Sequence, residues 1–167
     1  VIAAMIRMGM SVATIAIESG SEFVQKKIIK KNASLTRAKK VVQSCRDQGV
    51  IVRCYYVIGF PGETKEMIEQ TISFSASIAS DWSVYNSASP LSGTEMFDTL
   101  LNDGVIGDNF NWDDSFYHDR SYDSPEITAD LLKNIAHRAN IKNNFFNNYN
   151  LRIGQFGRAI VLFEDIL

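Results

Sequence analysis

Cysteine is scarce: Cys45 and Cys54 are the only two in 167 residues. Two are too few for a disulfide framework, which points to a reducing compartment, the cytoplasm. Their C-x8-C spacing matches no metal motif, and each reads most simply as a small buried apolar side chain. There are also only two histidines, His118 beside Asp119 and His137 beside Arg138, and they form no H-x-x-x-H or Cys/His cluster. No charge of one sign dominates. Lys plus Arg is 17 and Asp plus Glu is 19, a net charge of -2, so there is no electrostatic case for nucleic acid or an acidic membrane surface. The longest uncharged run, Trp82 to Thr94, is rich in serine. It falls short of the roughly 18 apolar residues that a spanning helix needs. Val1–Met10 lacks the charged, apolar, small-residue order of a secretory signal. Three common site motifs are missing as well: the P-loop, the G-x-G-x-x-G turn after a strand, and the G-x-S-x-G elbow.

What remains is an ordinary globular mixture, 46% hydrophobic and 22% charged, which excludes a disordered tail. One theme repeats through the first two-thirds. The apolar runs Ala13–Ile17, Val50–Ile58 and Trp82–Ala88 each end in a loop rich in Gly, Ser or Pro. The first two show no clean alternation, as expected of parallel strands buried on both faces. Helical patterns lie between them. Ser34 caps a helix with Leu35, Ala38, Val41, Val42 and Cys45 on one face, and Gly49 supplies its left-handed stop. A second helix spans Thr64 to about Ala79, with Glu63, Glu66 and Glu69 where the helix dipole favours acids. A shorter one covers Glu22–Lys31. Strand, helix, strand, helix, strand predicts a parallel α/β sheet with right-handed crossovers. Three such units make half of a closed barrel or part of an open sheet. A half-barrel leaves raw strand edges and an uncovered face, so the chain reads as a piece of a longer protein.

Beyond Leu100 the texture changes. Asp108–Asp123 interleaves five aspartates with Phe110, Trp112, Phe116, Tyr117 and Tyr122, and reads as an irregular segment over the barrel face or rim. Pro125 and Thr128 introduce a helix over about Ala129–Tyr149, which ends rich in asparagine, and a last short helix is expected over Gly157–Leu167. The predicted division is 1–104 for the α/β part and 105–167 for an irregular and helical C-terminal extension.

In parallel α/β folds ligands gather at the carboxyl ends of the strands. Three loops define that edge here: Glu18-Ser19-Gly20-Ser21, Gly59-Phe60-Pro61-Gly62-Glu63-Thr64 and Ser89-Pro90-Leu91-Ser92-Gly93-Thr94. Glu18 is the strong polar group at a strand end. Its carboxylate can accept from a ribose diol or pair with an ammonium; equally, it can cap the next helix or pair with a nearby lysine. The second loop has a bland alternative too, a turn whose Pro and Gly only set backbone angles. No Lys or Arg lies in these three loops, which disfavours a phosphorylated metabolite.

Taken in order, three stretches resemble the radical S-adenosylmethionine superfamily. They are Ile15-Ala16-Ile17-Glu18-Ser19-Gly20-Ser21, Lys27-Ile28-Ile29-Lys30-Lys31, and Tyr56-Val57-Ile58-Gly59-Phe60-Pro61-Gly62-Glu63-Thr64. Asp81-Trp82 and Pro90-Leu91-Ser92-Gly93-Thr94-Glu95-Met96 fit the same pattern. The resemblance covers roughly 1–104 and is nearest to the group whose members often carry an N-terminal cobalamin-binding domain. It implies a partial (β/α)6 barrel, of which this chain holds strands four to six. It also implies a 4Fe–4S cluster, S-adenosylmethionine cleaved to a radical, an electron donor and a small-molecule substrate. The family's CxxxCxxC motif is not in this sequence, so the resemblance places the cluster ligands in a missing N-terminal half and implies that the fragment is inactive alone. Residue by residue, it implies cofactor contacts for Glu18 with Ser19 and Ser21 beside it, for Lys30 toward the methionyl carboxylate, for Val57 and Gly59 against adenine, and for the Ser87 to Pro90 backbone. The competing reading is a non-catalytic α/β binding or assembly module on the same scaffold.

Overall fold

The computed structural model describes residues 1–31, 33–107, 109–111 and 120–146. Three strands form one parallel sheet in chain order: β1 Val12–Glu18, β2 Ile51–Ile58 and β3 Trp82–Ser87. All three fall on the predicted apolar runs. The helices are α1 Ile2–Arg7, α2 Leu35–Asp47, α3 Lys65–Ile78, α4 Glu95–Asn102 and α5 Ala129–Ile141. Caps explain most of their starts. Ser34, Thr94 and Thr128 each accept a hydrogen bond from the backbone three residues on, at 3.2, 3.3 and 3.3 Å. At the other end of α2, Gly49 adopts the left-handed φ of 80°.

The strands are covered on one face. Val52, Cys54, Tyr56 and Ile58 of β2 are buried against Val42 and Cys45 of α2, Ile68 and Ile78 of α3, and Leu132, Ala136 and Ala139 of α5. The alternate residues point the other way. Arg53 pairs in register with Thr14 and Trp82, and Tyr55 with Ala16 and Val84. This second face is partly or fully exposed among the described residues. The expectation of burial on both faces therefore holds for one face only, because the described residues supply one helical layer.

Two further differences concern helices. Within the predicted Glu22–Lys31 helix, Val24–Ile28 is a π-turn, closed by Ile29 N–H on the Val24 carbonyl at 2.9 Å. At the far end of α5 a second π-turn, Lys142–Phe146, follows directly. The rest of the predicted Ala129–Tyr149 helix, the Gly157–Leu167 helix and most of Asp108–Asp123, with Trp112 and His118, lie outside the described residues. Among the described residues beyond 104, Ile127, Leu132, Ala136 and Ala139 share the core of the sheet.

The outer edge of β3 is closed by side chains. Asn144 accepts from Ser83 N–H and donates to its carbonyl, both at 2.7 Å. Asn140, one turn earlier, does the same to Tyr85 at 3.2 and 3.3 Å. The two amides imitate a neighbouring strand and satisfy backbone groups that an edge leaves open.

Candidate functional site

Because the strands are parallel and in register, Glu18, Gly59 and the Ser87–Pro90 segment lie along one edge of the sheet. At the tip of β1 the register slips between Ala16 and Glu18, and Glu18 takes a left-handed φ of 70°. A non-glycine residue in that region carries roughly 1–3 kcal/mol of strain and needs surroundings that hold it. They are present. Lys31 donates to the Ala16 carbonyl at 2.8 Å and lies 3.2 Å from the Glu18 carboxylate. Buried Gln25 donates through Nε2 to the Ile17 and Ser19 carbonyls at 2.6 and 2.7 Å. The π-turn carries Gln25 beneath the loop.

The next residues are fastened to α3. The Ser19 and Thr71 hydroxyls are 2.9 Å apart, and Gly20 N–H donates to Thr71 Oγ1 at 3.0 Å. Gly20 has to be glycine here, since a Cβ would lie 2.8 Å from Thr71 Cα. Ser21 N–H turns back onto Ser19 Oγ at 3.1 Å. Ser19 and Ser21 are thus buried, and the Ser19 hydroxyl is engaged within the loop. Glu18 alone of this group leaves a carboxylate partly exposed.

At the tip of β2, Gly59 has φ 84°, and a Cβ there would run into Leu132. Its N–H donates to Glu63 Oε2 at 2.6 Å, Phe60 N–H donates to the same oxygen at 3.1 Å, and the Gly59 carbonyl accepts from Arg120 at 3.2 Å. Glu63 is fully buried and its Oε1 has no partner. Burial raises its pKa to about 7, against the lowering effect of the two N–H donors. Val57 is half-buried on the open face. At the end of β3, Ser87 is buried with its hydroxyl unpartnered, and beyond it Pro90 is buried. Lys30 is exposed and pairs with Glu95 at the start of α4, at 2.5 and 2.6 Å.

The rim therefore unites Glu18, Lys31, Lys30 and Val57 as reachable groups, while Ser19, Ser21 and Gly59 shape the backbone between them. Sequence reasoning missed Gln25, Thr71 and Arg120, which carry no local signal. A cavity of about 280 Å³ lies to one side, against Pro61, Gly62, Asp103 and Glu126, and is lined by none of the eight expected contacts. Among the described residues no group of three or more His, Cys, Asp or Glu could hold a metal, and both cysteines are buried and free. Burial pushes the Cys54 thiol up to about 11, away from the thiolate that an iron–sulfur cluster requires. The described residues do not fit a cluster site. The rim carries two acids and two bases, Glu18 beside Lys31 and Glu95 beside Lys30.

The cytidylyl-2-hydroxyethylphosphonate methyltransferase of Streptomyces wedmorensis is 28% identical over 99 residues, covering 56% of this chain and 18% of the relative. The aligned part is thus less than a fifth of that protein's length. The family model described as Radical SAM superfamily matches residues 1–75, the stretch from α1 through β1, α2 and β2 into α3.

Proposed function

We propose that the chain is part of a radical S-adenosylmethionine enzyme, in which β1, β2 and β3 serve as strands four to six of the barrel. In this reading the cluster ligands, the electron donor's docking surface and any cobalamin domain belong to other parts of the parent protein, which works in the cytoplasm. The observation that carries the reading is the family match over the same residues that bring Glu18 to the rim. Bound at its cluster, S-adenosylmethionine supplies a carbon radical by reductive cleavage.

This chain's own residues bind and orient. Glu18, fixed by the Lys31 and Gln25 contacts, accepts from the ribose or methionyl end of the cofactor. Lys30 faces the methionyl carboxylate. Val57 offers the adenine an apolar surface, and the backbone from Ser87 to Pro90 borders it. Gly59, Ser19 and Ser21 contribute by setting the course of the rim. The name of the Streptomyces relative makes methyl transfer the first reaction to assay. The substrate is a small molecule that the rim residues alone do not specify.

Calorimetric titration of the full gene product with S-adenosylmethionine tests this. Glu18→Ala should weaken binding about tenfold or more, the loss of a charge-assisted contact, with iron content unchanged. Iron loss at unchanged affinity would refute the role given to Glu18. No binding by a wild-type protein with its cluster intact would favour a non-catalytic module.

A further inference from the structure

Three non-glycine residues among those described have positive φ: Glu18 at 70°, Lys30 at 53° and Ala79 at 55°. Ala79 ends α3, an ordinary place for it. The other two are charged groups of the rim, and each is engaged by an opposite charge. Lys31 faces Glu18, and Lys30 reaches Glu95, 65 residues away. Glu95 opens α4, after the loop that follows β3, whereas Lys30 follows the loop after β1. The Lys30–Glu95 pair therefore links the loop regions beyond the two outer strands, with β2 between them.

A first-turn acid complements the dipole of α4 without any further role. That accounts for Glu95 being acidic, but not for its taking Lys30 as partner. The pair is exposed, with side-chain accessibilities of 60% for Lys30 and 74% for Glu95, so it contributes little to stability and is easily exchanged. Both carboxylate oxygens lie within hydrogen-bonding distance of the ammonium, the arrangement that a ligand's carboxylate would adopt.

We infer that Glu95 is a stand-in for the ligand carboxylate: it occupies Lys30 in the free protein and swings to solvent when a carboxylate-bearing ligand arrives. The inference rests on the cofactor reading above. It assigns to Glu95 a role as a brake on affinity that acts only on ligands with a carboxylate. Exchange of one carboxylate for another leaves the charge around Lys30 unchanged, so selectivity here follows from the presence of the ligand's carboxyl group.

The full gene product is titrated with S-adenosylmethionine and with its decarboxylated analogue, as wild type, Glu95→Gln, Lys30→Ala and the double variant. Glu95→Gln should tighten S-adenosylmethionine binding roughly two- to fivefold, the scale of one exposed ion pair, and leave the analogue unchanged. Lys30→Ala should weaken S-adenosylmethionine binding and abolish the effect of Glu95→Gln. Equal tightening of both ligands, or none, overturns the inference while the cofactor reading stands. A wild type that binds neither ligand overturns both.

Discussion

Glu63 concentrates the physical chemistry of the β2 tip in one side chain. One carboxylate oxygen holds Gly59 N–H and Phe60 N–H, and the other is buried with nothing to accept. The two donors favour the ionised form and burial opposes it; burial is the larger effect. The sign of the linkage follows. In the unfolded chain Glu63 titrates near 4.5, and in the fold at about 7, so the folded state binds the proton more tightly. Its contribution is fully present below pH 4.5 and is lost as pH rises toward 7 and beyond. Urea unfolding at a series of pH values should show stability falling across that window by on the order of 2–3 kcal/mol. Glu63→Gln keeps an oxygen for the two donors and removes the titration, so its stability should be flat there. A slope that survives the substitution would assign the titration to another group. The acid was legible in the sequence as a helix-start residue; its burial was not, because that depends on α5 and Arg120 closing over the loop.

Elements read well where their cause is local. The cap at Ser34, the helix start at Thr128 and the stop at Gly49 need only neighbours within a turn, whereas α4 and its Thr94 cap were not anticipated. The π-turn at Val24–Ile28 did not announce itself, since its apolar positions also suit an α-helix. The asparagines near the end of α5 had no assigned purpose in the sequence, yet Asn140 and Asn144 are spaced one turn apart to meet Tyr85 and Ser83 on an edge strand. Each makes hydrogen bonds to both polar groups of one strand residue. Replacing both with alanine should cost roughly 2–6 kcal/mol, about 1–3 for the groups left at each site. It should also uncover a strand edge, so light scattering should rise with protein concentration. A double variant that unfolds like wild type and stays monodisperse would show that the edge is satisfied by other means.

At the scale of the molecule, one core joins the sheet to α2, α3 and α5. Cys45 and Cys54 lie in that core, 2% and 0% exposed, on α2 and β2. If these elements open together, both thiols should react with an alkylating agent only through global unfolding, at rates that give the same free energy as urea. Faster labelling of Cys45 alone would mean that α2 opens by itself. The opposite face of the sheet carries the row Thr14, Arg53, Trp82 and, nearer the rim, Ala16, Tyr55, Val84. This mixture of polar and aromatic side chains is more polar than the buried face, a distinction hidden in strand sequences without clean alternation.

The sequence by itself determined three parallel strands in chain order, the helices between them and a shared rim bearing Glu18. Periodicity, capping and the geometry of crossovers act over short stretches, so they can be read along the chain. Only the tertiary structure decided that Lys31 meets Glu18 while Lys30 meets Glu95, that Ser19 turns inward to Thr71, and that asparagines seal β3. The last three of these contacts join residues 52 to 65 positions apart. Of the two adjacent lysines, Lys30 takes a left-handed φ of 53° and meets Glu95, while Lys31 meets Glu18. Nothing in local sequence encodes this choice.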